Sequence, residues 1–185
     1  MPQSLRSDAQ HNRDRVLGAA RELFAERGLD VTMREVARRA EVGPATLYRR
    51  FPTKVDLVEA AFVDEVRRCE EIVEKGCANP DPWRGFCLII ENLCVVNGRN
   101  QGFVDAFVSA NSEPPGYADH RRAALQSIAS LARRAQAVGA LRQDFSIDDL
   151  VLVLLAGRAL GSLPHARRDA ATRRFAALAI DAFRV

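Results

Sequence analysis

The stretch from Thr32 to Lys54 constrains the fold of this chain more than any other. Thr32 is followed three residues later by Glu35, the spacing of a capping box, so a helix is expected to start there. Met33, Val36, Ala37 and Ala40 supply one apolar face at helical spacing. Glu41-Val42-Gly43 interrupts the pattern. Pro44 suits the first position of a second helix, where its missing N–H would be unbonded anyway, and Gly43 suits the N-cap. Leu47 and Phe51 face inward from this second helix, and Phe51-Pro52 ends it, because a residue before proline disfavours the α region. Two short helices about a tight turn, with Tyr48, Arg49, Arg50 and Lys54 alongside, form the pattern of a helix-turn-helix flanked by groups suited to phosphate.

The preceding segment completes a small domain. Val16, Leu17, Ala20, Leu23 and Phe24 fall on one face of a helix expected from Asn12 to Arg27, with Gly28 closing it. Its core is expected to be Leu17, Ala20, Phe24, Val31, Val36, Ala37, Val42, Leu47 and Phe51. Residues 1–11 are polar and read as a flexible arm, with residues 12–54 as the DNA-binding unit. Charge agrees with this division. Residues 1–55 hold 11 Lys and Arg against 7 Asp and Glu, while the rest holds 16 against 17. The excess of positive charge sits where a polyanion would be met, though it is modest and would not argue for nucleic acid alone.

The string Glu-Val-Ala-Arg-Arg-Ala-x-Val-Gly-Pro-Ala-Thr-Leu-Tyr-Arg-Arg-Phe-x-x-Lys resembles the DNA-binding domain of the TetR family of bacterial repressors. The resemblance covers about the first 60 residues; the remainder is similar only in length and helical pattern. It implies that Thr32, Tyr48 and Lys54 hold phosphates. The reading of the residues themselves places the helix starting at Pro44 in the major groove. Gly43, Pro44, Ala45, Thr46, Tyr48 and Arg49 are then candidates to meet DNA, with Arg34 adding charge. The alternative for Tyr48 is packing against the first helix; for Arg38 and Arg39 it is a solvated face. Many family members carry glycine where Glu41 stands, so a left-handed conformation there would cost roughly 1 kcal/mol.

Residues 55–185 are expected to form a ligand-binding and dimerisation domain, giving an all-α protein of about nine helices. Thr53 caps a long helix bearing Leu57, Val58, Ala61, Phe62, Val66, Cys69, Ile72 and Val73, which ends at Gly76 and joins the domains as a rigid rod. Trp83 to Val96 is apolar nearly all round, the mark of a buried helix, with Asn97-Gly98 breaking it. A shorter helix carries Phe103, Val104, Phe107 and Val108, and Ser112 to Gly116 reads as a loop. Further helices are expected at Tyr117–Val138, Ile147–Ser162 and Arg168–Phe183. Phe86, Ile90, Leu93, Phe103, Phe107, Leu125 and Ile128 are candidates to line a ligand pocket; plain core packing is the alternative for each.

The run Leu150 to Ala156 is apolar on every face and needs cover on both sides. With the small residues of the last helix it suggests a two-fold, four-helix dimer interface at Leu152, Leu155, Ala156, Ala159, Phe175, Leu178, Ala179 and Ala182. Such a dimer would place two recognition helices about 34–36 Å apart.

Several function classes find no support. The start has no apolar run like a signal peptide, and no stretch is long enough for a membrane span. Cys69, Cys77, Cys87 and Cys94 lack metal-ligand spacing and fit a reducing, cytoplasmic setting. Cys87 and Cys94 share a helix face, as buried small hydrophobes or as a redox pair. His11, His120 and His165 are scattered, and no catalytic cluster stands out. The expected partners are double-stranded DNA, a second copy of the chain and a small apolar effector, with no cofactor, metal, membrane or enzymatic activity. Binding DNA without any small-molecule ligand is the alternative; an enzyme using the bundle pocket is a weaker one.

Overall fold

A computed structural model describes residues 2–107 and 115–185. Among the described residues it contains nine α-helices and no strand beyond an isolated bridge between Leu141 and Arg184. The helices are α1 (Pro2–Arg27), α2 (Met33–Arg39), α3 (Pro44–Arg50), α4 (Lys54–Cys77), α5 (Pro82–Arg99), α6 (Gln101–Phe107), α7 (Pro115–Ala137), α8 (Ile147–Gly157) and α9 (His165–Phe183). The all-α architecture expected from the sequence is therefore present. No described helix is long and apolar enough to cross a membrane.

Helices α1 to α3 form the head. Of the nine expected core residues, eight are buried, and Val42 is partly buried against them. The caps form as the side chains dictate: Thr32 and Glu35 close a capping box on α2, Pro44 opens α3 behind Gly43, and Thr53 with Asp56 caps α4. One boundary differs. Helix α1 begins at Pro2 instead of Asn12, so residues 2–11 continue the helix in place of the expected arm. After Pro2, which is suited to a first turn, no proline or glycine interrupts that segment.

Helix α4 leaves the head and packs in the body against α5 and α7, while α5 also packs on α9. Gly76, expected to end α4, and Gly85, inside α5, are points of close approach. A Cβ at Gly76 would lie 2.3 Å from Ile89, and one at Gly85 would lie 2.2 Å from the Gly76 carbonyl oxygen, so α4 and α5 cross with their backbones almost touching. Asn97-Gly98 likewise does not break α5. Gly98 admits Thr172 of α9, whose Oγ1 would sit 2.6 Å from an added Cβ, and the Asn97 amide donates to the Leu154 carbonyl.

Other boundaries shift for local reasons. Helix α7 starts at Pro115, within the segment expected to be a loop, and ends at Ala137, before Val138, which is 65% exposed. Gly139 follows with φ 72°, the left-handed geometry that stops a helix. Helix α8 gives way to a 3-10 turn at Arg158–Ser162, and α9 begins at His165. Val108 and residues 112–114 lie outside the described residues.

Candidate nucleic-acid interface

The turn between α2 and α3 fixes how the candidate reading helix is presented. The N–H of Glu41 donates to the Arg38 carbonyl and that of Val42 to the Ala37 carbonyl, which closes a Schellman motif. Glu41 occupies its left-handed position with φ 53°, where glycine is the usual residue. A brace compensates: the Arg15 guanidinium of α1 donates to the Ala40 carbonyl at 2.6 Å and to the Glu41 carboxylate at 3.1 Å. The turn is thus tied to α1 by an arginine the sequence pattern did not single out.

Helix α3 buries Leu47 and turns its other side outward. Gly43, Pro44, Ala45, Tyr48 and Arg49 are exposed, and Thr46 is partly so. Tyr48 is 46% exposed, so about half of it stands open to a partner. A Cβ at Gly43 would meet nothing nearer than the Thr46 hydroxyl at 3.9 Å, so packing does not require glycine there. Thr32 and Arg34 lie exposed at the start of α2.

Two of the expected phosphate ligands are already engaged. The Thr32 hydroxyl donates to Glu35 and accepts from the Glu35 backbone N–H. The Lys54 ammonium donates to the Leu29 carbonyl, anchoring α4 to the head, which leaves its remaining protons for another acceptor. Arg39 is turned back onto α1 by Glu22 and Glu26, each at 3.1 Å. Arg34, Arg38, Arg49 and Arg50 are exposed on α2 and α3, as is Arg39 despite its ion pairs.

The capping carboxylate carries a pH signature. Glu35 accepts from the Thr32 backbone and hydroxyl, both at 2.8 Å, and from Arg27 at 2.7 Å. These bonds, the Thr32 backbone N–H foremost, hold its carboxyl down at about 2. A lowered carboxyl contributes stability above its unfolded value and loses it as pH falls through the folded one. Acid titration followed by circular dichroism is therefore expected to show Glu35 weakening the head between about 4.5 and 2. Glu35→Gln is expected to flatten that part of the curve; an unchanged acid limb would contradict this.

In the body, a cavity of about 40 Å3 lies between α4, α5, α6, α7 and α8. Of the expected pocket residues, Leu93, Phe103, Leu125 and Ile128 line it. Phe86 and Ile90 do not. Phe86 belongs instead to an aromatic cluster with Trp83, Phe145 and Phe183, its ring centre 5.2 Å from that of Phe145, and Ile90 is fully buried in the core. The side chain of Phe107 lies outside the described ones. Cys69, Asn97, Arg121 and Leu154 also line the cavity and were missed. Asn97 is legible as a polar residue at the end of an apolar helix, where the Asn-Gly pair reads as a break.

The cysteines are unbridged, and burial pushes the Cys87 thiol up to about 11 and that of Cys94 to about 12. Few thiolates form at neutral pH, which disfavours the redox alternative. Among the histidines, His11 is exposed, His120 stands 2.6 Å from Glu70, and the side chain of His165 lies outside the described ones. No described group of three or more His, Cys, Asp or Glu is placed to hold a metal.

Helices α8 and α9 present an exposed apolar strip. Leu152 is 63% exposed, Leu178 50% and Leu155 36%, and Ala156, Ala159 and Ala182 are exposed beside them. Phe175 is half-buried against Gly157, and Ala179 is buried within the chain and so offers little to a partner.

Comparison with known proteins accounts for this arrangement. Residues 16–61 match the family model for bacterial regulatory proteins of the tetR family. Residues 81–185, more than half of the chain, match that of the SbtR-like transcriptional regulator C-terminal domain. The chain belongs to the TetR family. It is similar to a TetR regulator of Streptomyces coelicolor, at 31% identity over 93% of this chain and 98% of the other, with a TM-score of 0.57. A TetR regulator of Mycobacterium vanbaalenii is 32% identical, over 98% of this chain and 99% of its own, with a TM-score of 0.51. The repressor KstR of Mycolicibacterium smegmatis is 33% identical over 63% of this chain, and the match spans 60% of KstR. As a TetR protein the chain is a DNA-binding transcriptional regulator, and α3 is the second helix of its helix-turn-helix.

Proposed function

We propose that this TetR regulator is a cytoplasmic repressor that binds a two-fold symmetric operator as a homodimer and is released by a small, largely apolar effector. The observation that carries the reading is the pairing of two outward surfaces: the Pro44–Arg49 face of α3 and the Leu152–Leu178 strip of α8 and α9. The strip joins two copies, and the α3 faces enter successive major grooves. Thr46 reads a base edge or a thymine methyl, and Arg49 takes a guanine pair. Tyr48, Thr32, Arg34 and Lys54 lie against the backbone phosphates. The protein works by binding, with no cofactor and no catalysis.

A route for release is built into the packing. Phe103 on the cavity wall meets Phe62 of α4, and Phe62 meets Phe24 in the head, each pair with ring centres 5.8 Å apart. Beside them, a Cβ at Gly102 of α6 would lie 2.7–2.8 Å from Phe24 atoms, so α6 sits directly on α1. An effector that displaces Phe103 favours a conformer in which α4 has swung and the heads no longer match the half-sites.

The cavity also favours a second reading. At about 40 Å3 it has room for about two or three waters, too little for most effectors without rearrangement. A DNA-binding regulator controlled only by its abundance would need nothing larger.

Selection from random duplexes with the purified protein tests the main reading. It is expected to enrich a site with two-fold symmetry, and failure to enrich any sequence would overturn it. Thr46→Ala with Tyr48→Ala is expected to weaken binding to that site by at least about tenfold at every salt concentration. Unchanged binding would remove α3 as the reading helix.

A further inference from the structure

The body cavity has a mostly apolar wall and one charged residue at its edge. Phe103, Ile128, Cys69 and Leu154 are buried at its floor, while Arg121, Leu125 and Val151 are half-buried around its edge. Only two of the described lining residues bring strong hydrogen-bonding groups, Asn97 and Arg121, and Arg121 alone is charged. Asn97 is 3% exposed, and its amide reaches the Leu154 carbonyl at 3.4 Å, near the outer limit of a hydrogen bond. An amide so weakly bonded in a hydrocarbon wall gains from a ligand acceptor.

We propose that the effector of this cavity is an amphiphile with an apolar chain and an anionic head, the chain lying against Phe103 and Ile128 and the head held by Arg121. This rests on the ligand-responsive reading above and narrows it to a ligand class. The direction follows from desolvation: an anion at the floor would leave water without a counter-charge, whereas at the mouth it meets a guanidinium and keeps part of its hydration. Arg121 has an interaction of its own within the protein. Its planar fork offers five N–H donors, so a carboxylate can join that contact or compete with it. The chain needs more space than the present cavity gives. Half-buried Leu125 of α7 and Val151 of α8 form the outer part of that wall, so making room for the chain involves those two helices.

Calorimetric titration and thermal melting of the full chain test this with octanoate and octan-1-ol, which share a chain length and differ in head charge. The wild type is expected to bind octanoate at least about tenfold more tightly than octanol. Arg121→Gln is expected to abolish that preference while retaining octanol binding, and Arg121→Lys to keep part of it. Equal affinity for the two compounds, or an Arg121→Gln protein that still prefers octanoate, overturns the inference and leaves the ligand-responsive reading intact. A variant that merely loosened the bundle would weaken both compounds alike, which also counts against the inference. If neither compound binds, the inference falls; if a broad panel of neutral and charged compounds also fails to alter operator binding, the ligand-responsive reading falls with it.

Discussion

Leu152→Glu combined with Leu178→Glu is expected to yield a folded monomer that has lost most of its grip on the operator. Both side chains are at least half exposed, so the substitutions should cost the isolated fold little, within about 0.5 kcal/mol each. Across a two-fold interface the same changes bury like charges without partners, which an apolar contact of this kind does not tolerate. Separating the heads makes each bind alone, and the loss of the linked second event is worth about 10²–10⁴ in apparent affinity. Sedimentation reads the assembly and a DNA titration reads the affinity. A double variant that remains a dimer would place the interface elsewhere on the surface.

The second large effect is expected at the centre of the molecule. Phe62 is fully buried and touches Phe24 on one side and Phe103 on the other. Phe62→Ala removes the middle ring of a series joining head to body, and a buried phenylalanine truncated to alanine costs about 3–5 kcal/mol. For a chain of this length that lowers the melting temperature by roughly 6–20 °C. Phe62→Leu retains most of the volume and should cost much less. If calorimetry shows the alanine variant melting within a degree or two of the wild type, Phe62 does not hold the two parts together.

Much of this architecture was legible because local chemistry decided it. Thr32 with Glu35, Pro44 behind Gly43, and Thr53 with Asp56 each settle a helix start within a few residues, and each formed as expected. The head core was readable for the same reason: few helices can bury those side chains, so periodicity alone identifies them. What escaped the sequence depended on partners distant along the chain. Gly76 and Gly98 look like helix breakers until the helices that crowd them are known. Phe86 and Leu93 lie on the same apolar helix, yet only the packing of α7, α8 and α9 decides that one joins an aromatic cluster and the other a cavity wall. Arg15 is one arginine among many in the sequence, and its hold on the Glu41 turn appears only once α1 and that turn are brought together.

The near-contact of Gly76 with Gly85 has a mechanical consequence. The Gly76 carbonyl lies against Gly85 and the Ile89 side chain fills the space over Gly76, so the crossing leaves α4 little room to slide. The freedom left to it is tilt about a pivot close to its far end. Lys54 lies 22 residues from Gly76, roughly 33 Å along the axis, so a tilt of about 5° would carry the reading head by about 3 Å. A rearrangement of a single side chain in the body could thus be delivered to the duplex as a shift comparable to the spacing between base pairs.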